Sequence, residues 1–365
     1  MRISYVATAI NTREGGGSHR NTLSQIQTLR QSGHDVEITT IFSSRNALPA
    51  NISVTEVRGE GKSFFGIARL VADVLSKRTA DVNIVYGHAL LWGAGYYRIA
   101  GRTPTIVYLD NYLDSMPEVA RGSRISRFLH TLWRKTMGRR YIQSIDMFIA
   151  VSEFLKESYV RAGFPQEKFA VVPNFFELEE HSGATRSDPA LLLYVGRLTK
   201  EKGIDALLEA LRLLPKELPW KARIVGDGEE RERVEAAASM DQRITYRGWT
   251  TASALVDEYA AAGVFVHPVR WPEPFGRTIV EAMHMSLPVI VPSWGASASI
   301  AAGACVEFKN GDAHSLAKAI ETLLREPQKA RELGKEGARI SSHYARAHVA
   351  PLFLKMIERV ASTRT

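Results

Sequence analysis

Short apolar runs recur along the chain, separated by longer stretches whose apolar positions fall at helical spacing. Ile3–Thr8 leads into a glycine-rich loop and then a helix-period segment from about Ser18 to Gln31. Val36–Thr40, Val82–Tyr86, Thr105–Leu109 and Met147–Val151 follow as further strands with helical segments between. Repeated strand–helix alternation predicts a mostly parallel sheet with helices on both faces.

The pattern breaks after Val171-Val172-Pro173-Asn174. From Phe175 to Pro189 the chain is polar, acidic and aperiodic, the signature of a linker. Alternation then restarts. Leu191–Val195, Lys221–Val225, Ile244–Tyr246, Val264–Val266 and Val289–Val291 read as strands, with helices over Ile204–Leu214 and Glu229–Ala238. From Ser315 to Val360 the pattern is helical, with breaks expected at Pro327 and Pro351. The reading is α/β: two doubly wound, Rossmann-like domains, residues 1–173 and 190–345, joined by a linker at 174–189. Ligands of such sheets bind at the carboxyl ends of the strands, so two facing domains place the expected site in the cleft between them.

Composition adds limits. Of the 365 residues, 45% are hydrophobic and 24% charged, which argues against a disordered or fibrous chain. No run approaches the roughly 18 apolar residues of a spanning helix. The N-terminus enters a strand without a secretory pattern, and the lone Cys305 makes no internal disulfide and no cysteine zinc site. A cytoplasmic protein is expected. Charge is uneven: residues 1–173 carry 22 Lys and Arg against 14 Asp and Glu, while the remainder has 25 of each. The first half is therefore the one suited to an anionic partner.

Three segments carry candidate chemistry. Gly15-Gly16-Gly17-Ser18 lies between the first strand and first helix, where glycines let backbone approach a ligand and a helix N-terminus favours an anion. It lacks the dinucleotide and P-loop spacings, and a flexible turn is an equal alternative. Gly196-Arg197-Leu198-Thr199-Lys200-Glu201-Lys202-Gly203 puts Arg197 and Lys202 at a strand's carboxyl end, suited to a diphosphate or to a solvated basic turn. The sharpest segment runs from Trp271 to Met283. Glu273 falls on a loop and Glu281 about one turn into a helix, with Gly276 between them. Two carboxylates so placed accept hydroxyl hydrogen bonds, and the amides from Phe275 to Thr278 suit a phosphate.

These pieces, in order, resemble the retaining glycosyltransferases of family 4, which have the GT-B fold. The matching residues are Tyr194–Leu198 with Lys202-Gly203, Ile224–Gly228, Tyr246–Trp249, the Glu273-x7-Glu281 motif and Pro288-Val289-Ile290. In the first half, Gly15–Gly17, Gly33–Val36, Val151–Glu153 and Val172–Asn174 match as well. The resemblance spans nearly the whole chain. It implies that residues 346–365 form a helix crossing back to the first domain. Arg197 and Lys202 would clamp a donor diphosphate. Glu281 would hold the ribose, and Glu273 the donor sugar, helped by backbone at Phe275, Gly276 and Arg277. Thr278 would add an amide, Gly16 and Gly17 would approach the diphosphate, and Trp249 would lie beside the base. A front-face reaction retaining the anomeric configuration is implied, with no cofactor, no metal and no protein nucleophile.

Departures bear on the sugar. Asp110 stands where the family has a His, and His88, at the preceding strand end, is a candidate sugar or acceptor contact. Asp110, Glu273, Arg197 and Lys202 are the candidate catalytic residues. Ser286 replaces a usual Gly, and Gly295–Ser299 replaces a Gly-Gly pair with a nearby Glu. From Val119 to Ile145 there is no acidic residue, while basic and apolar side chains recur at helical spacing. Arg134, Lys135, Arg139 and Arg140 are the candidate contacts with an anionic membrane, the plainer alternative being a helix packed on its own domain. The expected function is hexosyl transfer from a nucleotide sugar to a hydroxyl acceptor in polysaccharide, lipopolysaccharide or glycolipid synthesis, at the inner face of the membrane if the acceptor is lipid-linked. Nucleic acid is not expected as a partner. Two other readings stay open: a sugar-nucleotide epimerase or hydrolase on the same fold, and a nucleotide-sugar-binding protein without turnover.

Overall fold

A computed structural model describes residues 1–11, 17–101, 103–113, 116, 124–177 and 188–364. The chain divides into two units, Met1–Phe176 with Arg346–Thr365, and Glu177–Ala345.

In the first unit the elements run β1 (Arg2–Ala7), α1 (Gly17–Gln31), β2 (Asp35–Thr40), β3 (Thr55–Glu56), α2 (Phe64–Ser76), β4 (Val82–Tyr86), α3 (Leu91–Ala100), β5 (Thr105–Leu109), α4 (Arg124–Lys135), α5 (Met137–Ser144), β6 (Met147–Ala150), α6 (Glu153–Arg161) and β7 (Phe169–Val171). The strands form one sheet, ordered β3-β2-β1-β4-β5-β6-β7, with every pair parallel. All residues of β4, β5 and β6 are buried, as a sheet covered on both faces requires. Chain direction across the sheet reverses between β1 and β4, which makes their carboxyl ends the switch point.

The second unit repeats the scheme. It comprises β8 (Leu191–Val195), α7 (Ile204–Leu213), β9 (Lys221–Val225), α8 (Arg231–Met240), β10 (Ile244–Gly248), α9 (Ala252–Ala261), β11 (Val264–Val266), α10 (Arg277–His284), β12 (Val289–Pro292), α11 (Ser297–Ala301), β13 (Cys305–Phe308), α12 (Ala313–Arg325) and α13 (Pro327–Ser341). Its sheet, ordered β10-β9-β8-β11-β12-β13, is also parallel, and its switch point lies between β8 and β11. Helix α7 buries Ile204, Leu207, Leu208 and Leu211, the i, i+3, i+4, i+7 stripe of a core-facing helix. That stripe packs in a core with Trp220, Phe308 and Ile320.

The two prolines behave differently. Pro327 opens α13, where its missing N–H costs nothing. Pro351 does not break the chain: α14 (Arg346–Ala361) runs through it. The reason is packing. Val349, Phe353, Ile357 and Val360 form a buried face of α14 in the first unit, with Phe353 edge-on to Phe175 at 5.3 Å. Burial of this face outweighs one lost backbone bond.

Candidate functional site

In the second unit, the chemistry gathers at the carboxyl ends of β8 and β11, on either side of the switch point. After β8, Tyr194 donates its buried hydroxyl to the Arg197 carbonyl at 2.7 Å, fixing the turn that carries Arg197. The Thr199 side chain accepts from the Lys202 amide at 3.3 Å and caps the short 3-10 turn 200–202. Gly203 has φ +75, and a Cβ there would lie 1.9 Å from the Pro268 carbonyl oxygen. Only glycine lets the Lys202 turn close onto the chain leaving β11.

Further ties draw the two loops together. The amides of Arg270 and Trp271 donate to the Glu201 carbonyl at 2.9 and 3.2 Å, and Arg270 pairs with Asp205 at 3.0 Å. The result is that Lys202 Nζ meets Glu273 Oε2 at 2.5 Å, with both side chains mostly shielded from solvent. Burial pushes the Glu273 carboxyl up, but the cations Lys202 and Arg197 hold it below the usual carboxylate range. His267, at the end of β11, is fully enclosed, and burial lowers its imidazole to about 4 despite the neighbouring Glu273. It is therefore a neutral imidazole beside a charged pair. His267 is absent from the sequence reading, although the strand-end rule applied to β11 points to it, and Tyr194 enters that reading only within the matching segment Tyr194–Leu198, with no role of its own.

Helix α10 begins just beyond Glu273. Gly276, at φ +90, starts it, and buried Phe275 packs edge-on against Tyr344 at 5.5 Å. Arg277 and Thr278 form its first turn, the end of a helix that favours an anion. Glu281 sits one turn in. Its carboxylate accepts from the Tyr259 hydroxyl at 3.0 Å and lies 3.8 Å from Arg277 Nη2. Tyr259, on α9, is a further member that the sequence reading did not name. Trp249 is apart from this group. It follows edge strand β10, two strands from β8, and is largely exposed.

The first unit carries its own cluster at its switch point. Asp110 directly follows β5, Ser18 Oγ donates to its carboxylate, and His88 Nδ1 lies 4.0 Å away. Burial raises the Asp110 carboxyl, and His88 with Ser18 more than offsets this, leaving it below its ordinary value. Ser18 is thus a partner that the sequence reading passed over inside the glycine-rich segment. Gly17 is the first residue of α1, and Gly16 lies outside the described residues. A cavity of about 610 Å³ lies elsewhere, near the amino ends of β1 and β2, beside Arg2, Asp35 and Arg78.

The basic segment is corrected in part. It is not one helix, because α4 and α5 are separated at Thr136. Lys135, Arg139 and Arg140 are exposed, but Arg134 is 6% exposed and cannot meet a membrane. Successive helical residues point about 100° apart, so adjacent Arg134 and Lys135 need not share a face. Among the described residues no helix is long and apolar enough to cross a membrane.

Comparison with known proteins agrees with this layout. Residues 15–180 match the model of Glycosyltransferase Family 4, and residues 176–340 that of Glycosyl transferases group 1. An uncharacterized glycosyltransferase of Methanocaldococcus jannaschii is 32% identical over 40% of this chain and 42% of its own. The lipopolysaccharide core biosynthesis mannosyltransferase LpsB of Rhizobium meliloti is 30% identical over 49% of this chain and 53% of its own. The chain thus spans about half the length of the curated relatives it matches. Among solved structures, sucrose-phosphate synthase of Thermosynechococcus elongatus superposes with TM-score 0.78 at 20% identity, over 99% of both chains. Anabaena HepE, solved with UDP and glucose, does so with TM-score 0.76 at 20% identity, over 98% of this chain and 100% of that one.

Proposed function

The chain has the two domains and the fold of the GT-B glycosyltransferases, and on that premise we propose that it transfers a sugar from a nucleoside diphosphate sugar to a hydroxyl acceptor with retention at the anomeric carbon. The observation that carries the reading is the Lys202–Glu273 pair, with Arg197 and the start of α10 beside it, at the switch point of the second unit. A cation for phosphate and a carboxylate for sugar hydroxyls stand within one contact of each other.

In this reading Arg197 and Lys202 bind the diphosphate and stabilise the charge that grows on it as the bond to the sugar breaks. Those two cations take the neutralising work, so the proposal calls on no metal. Glu273 accepts hydroxyls of the sugar, and Glu281, already oriented by Tyr259, accepts the ribose hydroxyls. Phe275, Gly276, Arg277 and Thr278 contribute backbone at the start of α10, and Trp249 is assigned to the base. The C1–O bond to phosphate breaks and the C1–O bond to the acceptor forms on the same face. The acceptor's proton passes to the departing phosphate oxygen, giving the glycoside and the nucleoside diphosphate. In the first unit, Asp110 and His88 are read as sugar or acceptor contacts, with Gly17 near the diphosphate.

We place the reaction in polysaccharide, lipopolysaccharide or glycolipid synthesis. The support is that matched relatives include a lipopolysaccharide core mannosyltransferase and a lipopolysaccharide 1,6-galactosyltransferase. The test is calorimetric titration with UDP-, GDP- and ADP-sugars, followed by turnover of the donor that binds. Binding of one donor, with release of its nucleoside diphosphate only when acceptor is present, is the expected result. Equal turnover without acceptor would instead establish the hydrolase or epimerase reading.

A further inference from the structure

Strand β12 lies beside β11 and parallel to it, so the chain leaving β12 emerges on the same edge of the sheet as the loop that carries Glu273. Three contacts fix how the two segments meet. The Ser293 amide donates to the Phe308 carbonyl at the end of β13, at 2.9 Å. Gly295, at φ +91, approaches so closely that a Cβ there would come 2.9 Å from the Glu273 nitrogen and 3.1 Å from Pro272. The Ala296 amide then donates to the Glu273 carbonyl at 2.9 Å, and Ala296 itself is fully buried. Helix α11 follows, and the Tyr344 hydroxyl donates to its Ile300 carbonyl at 3.0 Å, while the Tyr344 ring packs on Phe275. The backbone from Ser293 to Ala296 is therefore seated on the short loop that holds the candidate sugar-binding carboxylate.

Trp294 stands between two of these anchors, Ser293 and Gly295, and its side chain is 39% exposed. Among the described residues the indole meets no other aromatic ring and its N–H has no hydrogen-bond partner. A single exposed apolar side chain is ordinary. What sets this one apart is its seat, one residue from a glycine pressed against the Pro272–Glu273 peptide. A pyranose ring has two kinds of surface: hydroxyls run round its edge, and C–H groups line its faces. A carboxylate accepts from the first, and the flat apolar face of an aromatic ring takes the second. Glu273 and Trp294 offer one of each on segments locked together, so their backbone needs no ordering when a ligand arrives. We propose that Trp294 is a specificity-determining residue, its indole stacking on the C–H face of the hexopyranosyl ring whose hydroxyls Glu273 accepts. The inference rests on the sugar-transfer reading and deepens it by naming the group that selects the donor's sugar. It also gives a role to the place where the chain departs from the family's Gly-Gly pair, with Gly295 seating the loop and a tryptophan preceding it.

Calorimetry separates the sugar from the rest of the ligand. UDP, GDP and ADP are titrated beside UDP-glucose, UDP-galactose, GDP-mannose and ADP-glucose into the wild type, Trp294→Ala and Trp294→Phe, each checked for an unchanged melting transition. For the nucleotide sugar that the wild type binds, Trp294→Ala should weaken affinity roughly five- to tenfold and leave the bare diphosphate within about twofold. Trp294→Phe keeps an aromatic face and should restore most of the loss. Indole emission gives a second readout. The nucleotide sugar should change the wild-type emission beyond what the bare diphosphate does, and that difference should vanish in Trp294→Phe. Equal affinities in the wild type and Trp294→Ala, or equal losses for diphosphate and nucleotide sugar, overturn the proposal and leave the sugar-transfer reading standing. So does a loss confined to the KM of the acceptor. A folded wild type that binds none of these nucleotide sugars overturns the sugar-transfer reading itself, and this proposal with it.

Discussion

Lys202 and Glu273 are 71 residues apart in sequence, yet Lys202 Nζ lies 2.5 Å from a Glu273 carboxylate oxygen. The contact depends on Gly203 closing on Pro268 and on the Glu201 carbonyl accepting two amides of the opposite loop. Each partner is therefore set before any ligand arrives, and a diphosphate must compete with Glu273 for the lysine.

Removing the lysine leaves a shielded carboxylate without its main partner. Lys202→Met should destabilise the fold by about 1–3 kcal/mol, short of a fully buried pair because both groups keep some solvent contact. The acid limb moves too. Glu273 is held below its ordinary value, so its contribution is present above that value and is lost as pH falls through the lowered one. With Met at 202 the lowered value rises toward or past the ordinary one, so that loss should shrink or disappear. Chemical denaturation from pH 3 to 7 checks both effects, and an unchanged acid limb would show that the pair does not hold the charge.

His267 gives a second pH signature. Its folded value is about 4 against an ordinary 6.5, so between these the unfolded chain binds a proton that the folded one refuses. Stability should be complete above pH 6.5 and fall by on the order of 3 kcal/mol as pH drops to 4. Replacing His267 with Asn should flatten that part of the curve. An imidazole NMR titration near 6.5 would contradict the enclosure.

The Gly203 contact can be probed directly. Gly203→Ala forces either a backbone shift or a clash with the Pro268 carbonyl, on top of the left-handed φ. A cost of roughly 2 kcal/mol or more is expected, with weaker nucleotide binding. The reverse change at Ala302, a non-glycine residue at φ +48, should be stabilising: Ala302→Gly by about 0.5 kcal/mol. Melting curves of the two variants should move in opposite directions.

Glu281 and Tyr259 separate binding from orientation. Glu281→Ala should weaken even a free nucleoside diphosphate at least about tenfold, as two ribose contacts are lost. Tyr259→Phe removes only the 3.0 Å bond that aims the carboxylate and should cost about fivefold. Equal affinities for all three proteins, by calorimetry, would remove Glu281 from the nucleotide site.

Much of this was legible in the sequence because parallel α/β units write themselves in alternating runs. The strands that carry chemistry, β1, β4, β5, β8 and β11, are apolar runs with clear bounds; the end of β8 points to Arg197, the spaced carboxylates of the loop and helix after β11 to Glu273, and the family resemblance to Asp110. What failed has identifiable causes. The edge strand β3 is only two residues long and makes no pattern, and β13 is only partly buried. Pro351 looked like a break because local chemistry disfavours it in a helix, but the burial of Phe353 and its neighbours is invisible in local sequence. Arg134 was grouped with its basic neighbours because composition does not say which face a residue takes. The partnerships of Lys202 with Glu273, Tyr259 with Glu281 and Ser18 with Asp110 join distant segments, and only folding brings them together.

The most direct test of the account is donor consumption by the purified chain, with and without a lipid-linked or polysaccharide acceptor fraction, followed by NMR of the anomeric proton. The account expects one nucleotide sugar to be consumed only with acceptor, its nucleoside diphosphate released, the product keeping the donor's anomeric configuration, and Lys202→Met to lower the rate at least about tenfold. A folded protein that binds no nucleotide sugar, or one whose product is inverted, would contradict it.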